Sequence, residues 1–179
     1  MAEHPLLPAV AVVAALVGYL LAAVRYGRLV QVLRTDPLTG CLVRGTLQSL
    51  LAACGRRWVG VVLADVDGLK AVNDSQGHAA GDRLLAAVGQ VLRANVRPED
   101  HVVRLGGDEF LVLCPGTRED EIVFIARRLR RALEEAGLPA SVGAAACGPG
   151  ADLAGTVRLA DLLMYEEKAR RKLPGYVAG

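Results

Sequence analysis

The sequence predicts an α/β domain, a sheet with helices packed on it, preceded by one N-terminal transmembrane helix. Three observations carry this. Residues 5–24, "PLLPAVAVVAALVGYLLAAV", hold no charge. Residues 58–66, "WVGVVLADV", form the continuous apolar run of a strand buried on both faces. Strand and helix signals then follow one another to the C-terminus, the order of a sheet covered by helices.

The uncharged run comes first. At 1.5 Å per residue it makes about 30 Å of helix, the hydrocarbon thickness of a bilayer. Glu3 and the lack of Lys or Arg ahead of the run argue against a cleaved signal peptide. Arg25, Arg28 and Arg34 follow it, so the positive-inside rule places the rest of the chain in the cytoplasm, below an inner membrane crossed once. Residues 25–36 continue the helix, where Leu29, Val30, Val32 and Leu33 offer a face for pairing two such helices. No sensory domain fits before Asp36. The chain therefore divides into 1–34, membrane helix and linker, and 35–179, one domain.

Within that domain, residues 81–96 repeat apolar side chains at helical spacing: Leu84, Leu85, Val88, Val91 and Leu92. "HVVRL" and "EFLVLC" are two strands folded at Gly106 and Gly107, a hairpin turn that requires positive φ. Ile122, Ile125, Leu129 and Leu133 mark one face of a helix. "ASVGAAAC" is a strand, and residues 156–172 form a last helix with a basic end. The net charge of +2 argues neither for nor against nucleic acid. Cys41, Cys54, Cys114 and Cys147 lack a paired metal-ligand spacing and read as structural thiols.

Chemistry concentrates in two stretches. In "LADVDGLKAVNDSQGHAAGD", residues 63–82, Asp65 and Asp67 stand at the end of the buried strand, where open sheets usually bind ligands. In "RLGGDEF", residues 104–110, Asp108 and Glu109 follow two glycines. If the hairpin packs beside the strand, Asp65, Asp108 and Glu109 converge, and such a cluster is costly unless a cation neutralises it. Oxygen-only ligands favour Mg²⁺, with phosphates completing its shell. Gly68 leaves backbone N–H groups open to phosphate, and Lys70 adds a cation.

These two stretches together resemble the GGDEF family, the diguanylate cyclases. The resemblance runs from "TDPLTGCLVR" through "SVGAA" to "LADLLMYEEKARRK". It implies a palm-like sheet of the ferredoxin-like, nucleotidyl-cyclase type. It implies an enzyme that condenses two GTP into cyclic di-GMP and two pyrophosphates across a homodimer, with Mg²⁺ (Mn²⁺ in its stead) as cofactor and no nucleic-acid polymer as partner. Residues 35–179 would then be the catalytic domain, and the homodimer would be membrane-anchored through the N-terminal helix.

Carried over residue by residue, the resemblance makes Asp65, the carbonyl of Val66 and Asp108 metal ligands. Glu109 becomes a metal ligand or the base for the attacking 3′-hydroxyl, and Asp108 and Glu109 are the catalytic pair. Asn73 and Asp82 match guanine-reading positions, His78 another substrate contact, and Lys70, Lys168 and Lys172 phosphate contacts. Read alone, Asn73 is a helix cap, His78 a surface or packing residue and Asp82 a helix-start acid. Gly106 and Gly107 leave the nucleotide the space a Cβ would take. Arg97 and Asp100, in "RPED", match the RxxD site where product inhibits; Arg127, Arg128, Arg130 and Arg131 read first as a solvated helix face.

The family's last helix reads roughly AKxxGRN, against "EKARRKL" here. Lys168 keeps its place, Arg171 replaces Gly, and Lys172 replaces Arg. Val43 stands for the usual Asn and Leu69 for the usual aromatic. None of these removes an expected metal ligand. The competing readings are a cyclic di-GMP receptor and a GTP-binding regulatory protein.

Overall fold

The computed structural model describes residues 6–171, and side chains within them except 6–9, 11 and 26–33. Two compact units divide at Thr35 and Asp36.

The first unit holds helix α1 (Leu6–Arg34). Here the sequence reading is corrected. Among the described residues no helix is long and apolar enough to cross a membrane. Neither the transmembrane helix nor the single-pass inner-membrane location is retained. The pairing face at Leu29, Val30, Val32 and Leu33 lies outside the described side chains.

The second unit is a mixed five-stranded sheet with helices on both faces. In chain order it runs β1 (Leu42–Val43), a 3₁₀ turn (Arg44–Thr46), α2 (Leu47–Cys54), β2 (Val59–Val66), α3 (Leu69–Gln76) and α4 (His78–Ala94). It continues through β3 (His101–Gly106), β4 (Glu109–Pro115), α5 (Glu119–Glu135), β5 (Ala140–Cys147) and α6 (Leu153–Arg171). The sheet order is β1-β3-β4-β2-β5. β1 runs parallel to β3, and the remaining pairs are antiparallel. Every residue of β2 is buried, as its unbroken apolar run requires of a strand flanked by β4 and β5 and covered on both faces.

Strand alternation divides the core. Val62, Ala64, Val66, Phe110, Val112 and Val142 face one way and pack with Leu85, Val88 and Leu92 of α4 and Ile122, Ile125, Leu129 and Leu133 of α5. Val59, Val61, Leu63, Leu111 and Leu113 face the other way, toward Ala160 and Met164 of α6. Asp65 and Glu109 continue this second face past the apolar core. Gly143 lets α6 lie almost on β5: an added Cβ would stand 2.1 Å from the Ala160 carbonyl oxygen and 2.2 Å from the Met164 nitrogen. The four cysteines are free thiols, three of them buried.

Candidate active site

The register of β2 against β4 builds the site. Asp65 lies directly opposite Glu109, and one residue further the Val66 N–H donates to the Asp108 carbonyl at 3.1 Å. The strand end and the hairpin that carry the acids are therefore neighbours, as the sequence reading required. The turn between β3 and β4 is Gly107–Asp108. Gly106 and Gly107 take φ of 153° and 52°, backbone that side-chain-bearing residues rarely adopt. A Cβ added at either would meet nothing within 4 Å, so open space borders the turn on that side.

Arg104 holds the hairpin in place. Its Nε and Nη2 donate to the Gly107 carbonyl at 3.2 and 2.8 Å, while Nη1 donates to the Asp36 carboxylate at 3.2 and 3.3 Å. Asp36 also accepts from the Thr39 N–H at 2.9 Å and hydroxyl at 2.7 Å. Burial alone would raise Asp36; the bonds from Thr39 and Arg104 outweigh it and hold the carboxyl below its usual range. The sequence reading gave Asp36 and Arg104 no role. Their separation of 68 residues offers no local signal.

The acids are not left to repel one another. Lys168, from the last turn of α6, donates to Asp65 Oδ1 at 2.5 Å. Burial pushes the Asp65 carboxyl up; the Lys168 ammonium pulls it down without cancelling that, and Asp108 and Asp67 raise it further. Burial opposes the charge on Lys168, yet Asp65, Asp67 and Asp108 together hold its pKa above the ordinary value. Asp67 accepts from the Ser141 hydroxyl at 3.0 Å through both oxygens. Among the described residues no three acids converge in a geometry that would hold a metal ion. The donor chemistry nonetheless fits a hard divalent cation: the candidate donors are all oxygen, and the buried Asp65 already draws a positive charge onto itself.

Two clefts meet at Lys168. One, about 780 Å³, is lined by Asp65 and Glu109 with Arg158, Asp161, Tyr165 and Lys168. The other, about 690 Å³, lies beside Asp67, Gly68 and Lys70, where α3 begins, and reaches Lys168 and Arg171. Lys172 lies outside the described residues.

Asn73, on α3, and Asp82, on α4, come to the corner where these helices meet. The Asn73 Oδ1 is buried without a hydrogen-bond partner and rests on Gly81: a Cβ there would stand 2.0 Å from it. Gly81, which the sequence reading took only as the start of a helix, thus gives the Asn73 side chain its room. His78 opens α4 and is exposed.

Arg97 and Asp100 sit at the far end of α4, in the turn to β3. The Arg97 N–H donates to Asp100 Oδ2 at 2.9 Å, and Oδ1 is buried without a partner. A cavity of about 410 Å³ opens there between Arg93, Arg97, Asp100 and His101. Burial and the facing Asp100 carboxylate push the Cys114 thiol far up. Of the α5 arginines, Arg130 is not solvated but paired with the buried Glu167, whereas Arg131 pairs with Glu135 at the surface.

A family model for the diguanylate cyclase GGDEF domain matches residues 34–173. The chain belongs to the GGDEF family. A diguanylate cyclase of Escherichia coli K12, DosC, is 36% identical over 120 residues, which are 62% of this chain and 26% of the relative's length. The chain thus spans about a quarter of that curated relative. Among solved structures, the diguanylate cyclase SiaD of Pseudomonas aeruginosa, in complex with its activator SiaC, superposes with a TM-score of 0.75 at 29% identity, covering 91% of this chain and 68% of that one. A microbial GGDEF domain studied for its interaction with cyclic di-GMP gives 0.68 at 34% identity, covering 79% and 94%. GGDEF diguanylate cyclases are in general metal-dependent. The chain thus carries, on this mixed sheet, the GGDEF domain found in diguanylate cyclases.

Proposed function

We propose that this chain condenses two GTP molecules into cyclic di-GMP and two pyrophosphates, each GTP held by one of two facing copies. The observation that carries the reading is the direct opposition of Asp65 and Glu109 across two strands, in a cleft that shares Lys168 with the neighbouring cleft beside Lys70. Asp65, the Val66 carbonyl, Asp108 and Glu109 would hold Mg²⁺. When bound, the ion neutralises the phosphates and the departing pyrophosphate. Glu109, exposed at the hairpin, accepts the proton of the attacking 3′-hydroxyl. The 3′-oxygen then bonds to the α-phosphorus as the bond to the bridging oxygen breaks, a step that depends mainly on positioning and charge. The second GTP repeats the step in the opposite direction and closes the ring.

Asn73 and Asp82 read guanine: an amide and a carboxylate together complement its O6 acceptor and its N1 and N2 donors, which adenine reverses. His78 touches the same nucleotide at its edge. Lys70, Lys168 and Lys172 face the phosphates, and the open side of Gly106 and Gly107 leaves room for them. Product returns to inhibit at Arg97 and Asp100, beside a cavity that Arg93 and Arg97 line with guanidinium groups suited to guanine and phosphate acceptors.

The test incubates the full chain with GTP and Mg²⁺ and looks for cyclic di-GMP by chromatography. Product is expected from wild type and absent from Glu109→Ala. Binding of cyclic di-GMP without turnover would replace the enzyme reading by the receptor reading, and GTP binding without turnover by the regulatory one.

A further inference from the structure

The last turn of α6 is fastened by charges that the proposed chemistry does not use. Glu167, buried on that turn, accepts from two arginines. Arg130 of α5 reaches both its oxygens, with Nε at 3.0 Å from Oε1 and Nη2 on Oε2, and the same Nη2 donates to the Val142 carbonyl on β5 at 3.3 Å. Arg171 donates from Nε to Glu167 Oε1 at 3.0 Å, and from Nη2 to Glu134 of α5 at 2.8 Å. One helix end is thereby tied to α5 directly and to β5 through Arg130.

A buried carboxylate is tolerated only with its charge matched, and replacing such a cluster with apolar side chains commonly costs nothing. Stability alone therefore gives weak grounds for this one, whereas its position gives a reason. Glu167 precedes Lys168, so the two side chains leave the helix in different directions. With Glu167 held against α5, Lys168 is turned to the strand end, where it lines both clefts and meets Asp65 at 2.5 Å. Terminal helical turns fray unless tied down. A four-carbon side chain on a fraying turn spreads its ammonium over many positions, and ordering it costs entropy. The family pattern AKxxGRN has small residues where Glu167 and Arg171 stand.

We propose that Glu167 and Arg171 form, with Arg130 and Glu134, a clamp that positions Lys168 against the phosphates of the bound nucleotide. Both are positioning residues. The proposal rests on the reading of Lys168 as a phosphate contact.

The test measures, on the full chain, calorimetric affinity for guanosine and for a GTP analogue with a methylene α,β-bridge, which cannot be condensed. Variants are Glu167→Gln and the double variant Glu167→Ala/Arg171→Gly; the latter removes an acid and a base together and serves if the first does not fold. In both, analogue affinity is expected to fall about tenfold, the size of one charge-assisted contact, with guanosine affinity unchanged. Equal losses for both ligands mean that the cluster only supports the fold, and they overturn the proposal. So does an unchanged analogue affinity. If wild type binds the analogue no tighter than guanosine, the phosphate reading itself falls, and the clamp with it.

Discussion

Replacing Gly81 by alanine sets helix stability against nucleotide reading, with opposite signs expected. Alanine in a helix interior is favoured over glycine by about 0.5–1 kcal/mol. The new Cβ, however, would lie 2.0 Å from Asn73 Oδ1, 2.9 Å from its Cγ and 3.1 Å from Leu69 Cδ1. Both obstacles are side-chain ends, so the fold relaxes by turning the Asn73 amide away and shifting Leu69 slightly. The amide is the group proposed to read guanine. Losing one or two neutral hydrogen bonds removes about 1–3 kcal/mol of GTP affinity, roughly 5- to 150-fold. Gly81→Ala is therefore expected to melt at or above the wild-type temperature while binding GTP that much more weakly, with ATP binding unchanged. In an Asn73→Ala background the same substitution should add little, because the residue it displaces is gone. Calorimetric titration and a thermal melt of each variant decide it. A Gly81→Ala protein that keeps full GTP affinity refutes the argument, as does one whose loss persists undiminished without Asn73.

Three further outcomes follow from the same geometry. Gly143→Ala meets backbone rather than movable side chains, so α6 must lift from β5; a loss of about 1–3 kcal/mol in urea unfolding is expected, with the denaturant slope unchanged. Asp36 titrates below its ordinary range, so its tie to Arg104 stabilises above the unfolded-state pKa of about 3.9 and disappears as pH falls through the folded-state value. Asp36→Asn should show a smaller drop in melting temperature than wild type between pH 5 and the acid limb, and an identical drop would dismiss the tie. Arg97→Ala should leave initial turnover unchanged and raise the cyclic di-GMP concentration that halves the rate by about tenfold or more, the weight of a bidentate guanidinium contact; an unchanged half-inhibiting concentration removes the product site.

The elements whose partition between core and solvent repeats along the chain were legible: β2 as an unbroken apolar run, α5 as a face of Ile122, Ile125, Leu129 and Leu133, the hairpin through its two glycines. Helices α2 and α3 were not, because eight residues hold too few turns to show a period. Hydropathy misled at the N-terminus: it reports the oil-likeness of a run and not what surrounds it, and among the described residues no helix is long and apolar enough to cross a membrane. The acids of the site were readable because their letters sit in two short motifs. Gly81 and Arg104 escaped because each acts through a partner in another element. Glu167 is the sharpest case. In "YEEKARRK" it looks like a residue of a solvated charge run. It is buried where α6 lies close on β5, an approach that Gly143 permits, and it meets Arg130 of α5 there. Arg171, which in the sequence is one departure from the family pattern among several, pairs with Glu167 and with Glu134. Substitutions at the end of α6 therefore have to be weighed together with Arg130 and Glu134: losing Glu167 leaves Arg130 and Arg171 without their shared acid, whereas losing Arg171 alone leaves Arg130 on Glu167 and releases Glu134.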